Sequence, residues 1–484
     1  MRATRTALAA TAALAAAICT PLLAAPPADA APAKLADDFN GDGYRDLVLL
    51  GGAHGKDGRV TVVYGTSTGP GTRVQTIHQD SPGIPGAVEQ GDDWGFAATS
   101  ADLDRDGYAD LVVASPGEDV GDIQNRGGLT VIWGSAKGLG SGTVFHSPIA
   151  PEHAGSGDQF GLDVVAGDFD GDGDQDLTAI SNSRAGAVLL KGPFTRTGRH
   201  GGWQSLGGDY GYLNASQLAA GRVTADAATD LYILGQDLQA GSDLDMRAYF
   251  HRGGGDFTRR AGVLRVPDDG GHQVGGGQVT AIADFDKDGF GDLAIGRGYE
   301  QPDRERGYVT VQYGGSTGPN TVRKPVKFTQ NSAGVPGASE DEDHFGAAIA
   351  AGDVNGDGYA DLAVGVPGED LAGKRQGGMV TVLLGRAGGL SGTGAKAYDQ
   401  NTTGIADAIE NDDYFGLSLK LTDYTRDGRA DLLVDTNEQL DNTRWGMVHL
   451  LKGSKTGTTA TGSKAFTVNS LRLTYKTLAG PFPH

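Results

Sequence analysis

The sequence predicts an all-β fold, a seven-bladed β-propeller of four-stranded antiparallel blades. Three observations carry that expectation. An acidic nonapeptide recurs seven times along the chain, with starts 54 to 70 residues apart. Each copy is followed by short runs rich in β-branched and aromatic residues and bounded by glycine and turn residues, the pattern of strands. No sustained helical period runs through these units. So many strands would not stay one open sheet, and radial repetition leaves only short, protected edges. A β-solenoid has far shorter repeats.

The first thirty residues stand apart from the repeats. Arg2 and Arg5 precede a long Ala/Leu run, and Ala28-Asp29-Ala30 supplies a small-x-small cleavage site, so residues 1–30 are expected to be a secretory signal peptide with the mature chain starting at Ala31. Cys19, the single cysteine, lies inside that leader, and Ile18 before it is bulkier than lipid-modified proteins usually carry there. A mature chain without cysteine must find its stability elsewhere than in disulfides. No later apolar run approaches the roughly 20 residues that a membrane span needs. The formal charge of -21 becomes one unit more negative when the two arginines and Asp29 leave. Such acidity argues against nucleic acid and anionic lipid as partners, and it favours cations.

Residues 31–484 are expected to form one domain. The repeat reads DFNGDGYRDL from Asp38, DLDRDGYADL from Asp102, DFDGDGDQDL from Asp168, DFDKDGFGDL from Asp284 and DVNGDGYADL from Asp353, with weaker copies DYTRDGRADL from Asp423 and RVTADAATDL from Arg222. Within each unit a strand such as FGAAIAAGD from Phe345 precedes the acidic loop. A short apolar run such as DLVLL at Asp46 to Leu50 follows it, and then an alternating run such as RVTVVYG at Arg59 to Gly65 or MVTVLLG at Met379 to Gly385. A less regular fourth strand fits TRVQTIH from Thr72 and KAYDQ from Lys396. The first unit has only a short candidate strand around Lys34 to Asp37, and Phe466 to Tyr475 is the candidate to complete the last blade.

Phe-Gly at Phe160, Phe345 and Phe415, with Gly95-Phe96 in the second unit, the Asp-rich nonapeptide, Asp-Leu-x-Val and the ASPGED and GVPGED turns together resemble the FG-GAP repeat. That repeat builds the N-terminal propeller of integrin α subunits and occurs in many secreted bacterial proteins. The resemblance spans essentially the mature chain. It implies a seven-bladed propeller, calcium in the acidic loops, and ligand binding on the face opposite them. A phospholipase D that cleaves lipid anchors also carries such repeats, with its chemistry in an additional zinc-dependent domain, for which these residues leave no stretch.

The acidic loop suits a hard cation on chemical grounds. Ca²⁺ takes 6 to 8 oxygens, D-x-[DN]-x-[DN]-G turns the side chains of positions 1, 3 and 5 to one side, and glycine at position 6 allows the sharp turn. Position 7 would add a carbonyl and position 9 would close the site. An EF-hand would need a glutamate at position 12 and flanking helices, where apolar strand residues follow here. The candidate ligands are Asp38, Asn40, Asp42, Tyr44 and Asp46 in the first loop, and Asp102, Asp104, Asp106, Tyr108 and Asp110 in the second. The third offers Asp168, Asp170, Asp172, Asp174 and Asp176, and the fifth Asp284, Asp286, Asp288, Phe290 and Asp292. The sixth offers Asp353, Asn355, Asp357, Tyr359 and Asp361, and the seventh Asp423, Thr425, Asp427, Arg429 and Asp431. Five Ca²⁺ sites are expected to be strong and the seventh weaker, because Thr425 brings an oxygen without charge. The fourth loop has Arg222, Thr224 and Ala227, keeps only Asp226 and Asp230, and is expected to hold no ion.

Catalytic motifs are sparse. GTSTG at Gly65 to Gly69 and GGSTG at Gly314 to Gly318 match a nucleophile elbow, yet each lies between two strands, where a hairpin turn belongs and an elbow does not. The ten histidines form no H-E-x-x-H and no cluster. Long, irregular connections such as SPGEDVGDIQNRGG from Ser115 and PGEDLAGKRQGG from Pro367 gather opposite the acidic loops, with acidic linkers ending at Trp94, His344 and Tyr414. The expected function is that of a secreted calcium-binding propeller, a monomer that acts as a binding or adhesion module for an extracellular protein or glycan through those loops. The alternative is an extracellular propeller enzyme, cleaving polysaccharide or ester. Convergent carboxylates or histidines of shifted pKa in the central depression would favour the enzyme, and an exposed aromatic patch would favour binding.

Overall fold

The second strand of each unit explains why its apolar run is continuous. Leu47–Gly51, Asp110–Ser115 and Asp361–Val366 are buried at every position, because both faces of a blade's middle pack against neighbouring blades. Outer strands such as Gly142–His146 bury one residue in five and leave the rest half-buried or exposed. A computed structural model of the chain describes residues 32–51, 58–150, 157–182, 186–207, 213–237, 246–255, 257, 261–266, 279–298, 306–478, 480 and 482–484. The expected leader, residues 1–30 with Cys19, lies outside them.

Every regular element among these residues is a strand, and the strands form seven antiparallel meanders spanning residues 47–77, 98–146, 164–205, 213–265, 280–328, 349–398 and 419–467. Each meander is one blade, and in six of them four strands lie in chain order. The hydrophobic core is divided among the blade interfaces. One cluster joins Val60 and Val62 of the first blade to Leu111 and Val113 of the second. Another joins Leu47 and Leu49 of the first to Leu433 and Leu450 of the seventh, which closes the ring.

The first blade has three hydrogen-bonded strands, Leu47–Gly51, Arg59–Val63 and Val74–Ile77, and it departs from expectation at its inner edge. Residues 34–37 form bends and a turn. The inner edge is taken by the described residues 478, 480 and 482–484. There Gly480 lies so close to Leu50 that a Cβ on it would meet the Leu50 carbonyl at 2.3 Å. Phe482 donates its N–H to Ser418 Oγ at 3.3 Å, and His484 donates its N–H to the Ala98 carbonyl at 3.0 Å, so this segment bridges the seventh and second blades. Leu478 N–H bonds the Trp445 carbonyl at 2.9 Å, as Phe160 N–H bonds Arg126. Leu478 thus stands where Phe160, Phe345 and Phe415, the phenylalanines of Phe-Gly, stand in their units. The expectation for Phe466 to Tyr475 is corrected accordingly. Phe466 belongs to the outer strand Thr459–Thr467 of the last blade, and the chain after it leaves that sheet to reach the first blade.

The acidic loops join the first and second strands of their blades, and all of them emerge on one face of the ring. Trp94 does not line the opposite face. It is 1 % exposed, wedged in the core between the first two blades, with its Nε1 3.4 Å from Thr130 Oγ1.

Candidate metal centres

The six complete loops share one internal scaffold. Position 1 accepts backbone N–H groups from the far side of its own turn. Asp38 takes those of Asp42 and Gly43 at 3.1 and 2.7 Å, and Asp284 those of Asp288 and Gly289 at 3.1 and 2.9 Å. The turn requires a positive φ at position 6, where Gly43, Gly107, Gly173, Gly289, Gly358 and Gly428 lie between 83° and 92°. Position 5 accepts the N–H of position 7, as Asp357 does from Tyr359 at 2.9 Å and Asp106 from Tyr108 at 3.0 Å. Tyr44, Asp174, Phe290 and Arg429 are held in the same way by Asp42, Asp172, Asp288 and Asp427.

Position 9 has a second duty that the spacing alone does not announce. Its carboxylate accepts one N–H from the loop and another from the glycine that ends the third strand. For Asp361 these are Val354 and Gly385, both at 2.9 Å, and for Asp110 they are Leu103 and Gly134 at 2.9 and 2.8 Å. Asp46, Asp176, Asp292 and Asp431 repeat the arrangement with Gly65, Gly192, Gly314 and Gly453. The glycine is demanded by space, since a Cβ on Gly385 would lie 2.1 Å from the Ala360 carbonyl and one on Gly134 2.1 Å from that of Ala109. Adjacent loops are also tied through their backbones: Ala109 N–H bonds the Asp38 carbonyl at 3.1 Å, and Ala430 N–H that of Asp353 at 2.8 Å.

Positions 1, 3 and 9 converge. Carboxylate oxygens of Asp102, Asp104 and Asp110 lie within 4.8 Å of one another, and so do those of Asp168, Asp170 and Asp176 and of Asp284, Asp286 and Asp292. In the first and sixth loops asparagine takes position 3, with Asn40 Oδ1 and Asn355 Oδ1 accepting the N–H of Asp42 and Asp357 at 2.9 and 2.8 Å. Position 5 stays outside the three-carboxylate groups, turned toward the N–H of position 7. Two oxygens in these loops are buried without a donor, Asp104 Oδ1 and Asp286 Oδ1. An oxygen deprived of water and of a donor is costly, and a cation satisfies it, so the residues fit a hard metal ion.

Electrostatics point the same way. Burial, opposed by the Gly134 and Leu103 N–H groups and reinforced by Asp104 and Asp106, pushes the Asp110 carboxyl up to about 8. Burial likewise raises Asp46, Asp292 and Asp361 to about 7 and Asp176 to about 6. Crowded carboxylates hold protons unless another positive charge joins them.

The fourth loop keeps the fold of the others with different chemistry. Asp230 accepts Val223 and Thr224 N–H at 2.9 and 2.7 Å and Gly253 N–H at 2.9 Å, while Asp226 is held by Arg252 through Nε and Nη2 at 3.1 and 2.9 Å. Ser67 lies in a tight turn closed by Thr66 and Gly69, which exchange backbone bonds of 3.0 Å, and Gly318 N–H closes the turn around Ser316 on Gly315 at 3.1 Å. Both are hairpin turns.

The opposite face is built on a repeated latch between blades. Gln79, Gln330 and Gln400 donate Nε2 to Glu118, Glu369 and Glu438 at 2.7, 2.6 and 2.7 Å. Burial pushes Glu369 and Glu438 up to about 7. His344 and Tyr414 also make fixed contacts, with Gly298 O at 3.1 Å and Gln376 Oε1 at 2.7 Å. Among the described residues the one exposed large aromatic side chain is Trp203, 48 % exposed on an outer strand, so the aromatic patch sought as a sign of binding is not formed there.

Comparison with known proteins follows from this architecture. The FG-GAP repeat matches residues 276–311 and 345–383, and the FG-GAP-like repeat matches residues 38–113. Integrin alpha-PS2 of Drosophila melanogaster is 32 % identical over 228 residues, covering 43 % of this chain and 15 % of its own. This chain is an integrin-like FG-GAP propeller. Phosphatidylinositol-glycan-specific phospholipase D of Mus musculus is 34 % identical over 163 residues, 33 % of the propeller chain and 18 % of the phospholipase. The FG-GAP propeller therefore spans less than a fifth of the length of either relative. Among solved structures, a chain of the Photorhabdus luminescens Tc holotoxin pore aligns over 87 % of this chain and 15 % of its own, at 13 % identity and a TM-score of 0.32. No helix among the described residues of the propeller is long and apolar enough to cross a membrane.

Proposed function

We propose that this FG-GAP propeller is secreted, is stabilised by calcium in its acidic loops, and acts as a binding or adhesion module through the face opposite those loops. The observation that carries the metal reading is the pair of donorless, buried oxygens Asp104 Oδ1 and Asp286 Oδ1 within loops of convergent carboxylates. Asp38, Asn40, Asp42 and Asp46 and their counterparts at Asp102, Asp168, Asp284 and Asp353 form five strong sites. The Asp423 loop forms a weaker one, and the Arg222 loop holds no ion. The ion's task is structural. At ten times Kd, linkage adds roughly 1.4 kcal/mol per site, and several sites together rival the 5 to 15 kcal/mol typical of a domain.

Binding is favoured over catalysis by what the shifted carboxylates do. Glu118, Glu369 and Glu438 are raised, yet each is spent on a glutamine of the preceding blade, and three copies of one contact describe a latch better than an active site. The latches hold loops 116–127 and 367–378 rigid, and rigid loops lose little entropy on docking. The test is binding of the mature protein, in millimolar Ca²⁺, to an array of extracellular-matrix proteins and glycans. Arg375→Glu on the opposite face should abolish a captured interaction, and Lys287→Glu among the acidic loops should spare it. The reverse pattern would contradict the assigned face.

A further inference from the structure

The loops with aspartate at position 3 differ from those with asparagine in what reaches them from elsewhere in the fold. Arg196, in the hairpin after the third strand of the third blade, lies with Nε 2.8 Å from Asp104 Oδ2 and Nη2 2.6 Å from Asp106 Oδ2 of the second loop. Lys191 Nζ lies 3.0 Å from Asp170 Oδ2 of the third loop, and Arg323 Nη1 2.5 Å from Asp286 Oδ2 of the fifth. In the first and sixth loops the amide does this work internally. Asn40 Nδ2 and Asn355 Nδ2 each donate to the position 5 carboxylate, Asp42 Oδ2 and Asp357 Oδ2, at 3.0 Å.

A charge count follows from these pairs. Four carboxylates and one cationic side chain leave three net negative charges in the second and fifth loops, and in the third, five carboxylates paired with Lys191 and with Arg105, which lies 2.8 Å from Asp174 Oδ1, leave the same three. Three carboxylates and a neutral amide give the same three in the first and sixth. The cation occupies a single oxygen of its aspartate: Asp104 and Asp286 are bound through Oδ2, and each keeps Oδ1 buried and donorless. At the end of the series stands the fourth loop, where Arg252 pairs with Asp226 and Arg222 replaces the first aspartate, leaving no net charge.

We propose that Lys191, Arg196 and Arg323, with Arg105 on the extra Asp174 of the third loop, are built-in counter-charges that bring the loops with aspartate at position 3 to the net charge of the asparagine loops, so that five sites take a divalent cation with one common affinity. This rests on the calcium reading above. The counter-charges remove a degree of freedom that would otherwise spread the sites: an extra unpaired carboxylate a few ångströms from the ion strengthens binding by about tenfold at a partly solvated site. The seventh loop, with three carboxylates and Arg429 Nη1 3.9 Å from Asp427, falls below the common charge, in keeping with a weaker site.

The test uses the full mature protein, stripped by chelator and titrated with Tb³⁺, with emission excited through tryptophan. Trp133 reports on the second loop, because the Arg196 guanidinium lies 5.6 Å from its ring. Arg196→Met should tighten that site by about tenfold and Asp104→Asn should weaken it by about tenfold, while the double variant should return to within about threefold of the parent. If Arg196→Met does not fold, Lys191→Met makes the same test at the third loop, read by Ca²⁺ calorimetry. A parent that binds ions but whose affinity is unchanged or weakened by these substitutions overturns the counter-charge proposal alone. A parent that binds neither Tb³⁺ nor Ca²⁺ overturns it together with the calcium reading.

Discussion

Asp230 Oδ1 accepts the backbone N–H of Gly253 at 2.9 Å, in a loop whose other cage positions have become Arg222, Thr224 and Ala227. The same bond in the other blades spans 2.7 to 3.0 Å, from Asp46 with Gly65 to Asp431 with Gly453. The last aspartate of each repeat is therefore a pin between the acidic loop and the third strand, with or without a metal. Asp230→Ala leaves the N–H groups of Val223, Thr224 and Gly253 without an acceptor, at about 1–3 kcal/mol each before relaxation. The melting temperature should fall by the same amount in calcium and in chelator, as differential scanning calorimetry in the two buffers would read.

The glycine partner is equally constrained. Gly385→Ala puts a methyl 2.1 Å from the Ala360 carbonyl and should cost about 3 kcal/mol by chemical denaturation. Gly373→Ala is the control. Its φ is positive, at 79°, and nothing lies within 4 Å of the new methyl, so only the backbone cost of about 1 kcal/mol applies.

Stability should depend on pH with opposite signs in the two metal states. Folding raises Asp110 to about 8, Asp46, Asp292 and Asp361 to about 7 and Asp176 to about 6, all from 3.8. In chelator the folded state binds more protons than the unfolded one, so the stability these groups contribute is complete below about pH 4 and lost as pH rises through 6 to 8. A bound cation requires the ionised form, so calcium stabilisation is lost as pH falls through that window. Melting curves at about pH 5.5 and 8, with and without calcium, should converge at the lower pH and separate at the higher.

The fold was legible because its punctuation recurs in phase: Asp-Leu-x-Val fixed the second strand, and the alternating run ending in glycine fixed the third. The reason for that glycine was not legible, since the Ala360 carbonyl that forbids a side chain at Gly385 belongs to another segment of the blade. The structural role of position 9 left one trace, the survival of Asp230 in a loop that had lost its other acids. Arg196 left none, because about ninety residues separate it from Asp104 and only the stacking of the second and third blades brings them together. Ring closure was hidden for a similar reason: Leu478 does the work of a phenylalanine without the following glycine that marks the others.

That closure can be tested directly. Leu478 is 2 % exposed among Leu47, Leu433 and Phe466, so Leu478→Ala should cost about 2–5 kcal/mol. Removing residues 476–484 should expose the inner edge of the first blade and lower the unfolding midpoint further, as equilibrium urea denaturation would show.

The central claim is that the acidic loops are cages held together by calcium, and the most direct measurement is elemental analysis of the mature protein paired with thermal melts in millimolar Ca²⁺ and in excess chelator. Five or six calcium ions per chain and a large chelator-induced fall in melting temperature are the expected result. A protein that carries no metal and melts at the same temperature in both buffers would mean that the loops are turns pinned by Asp46, Asp110 and their counterparts alone, and the calcium reading would be wrong.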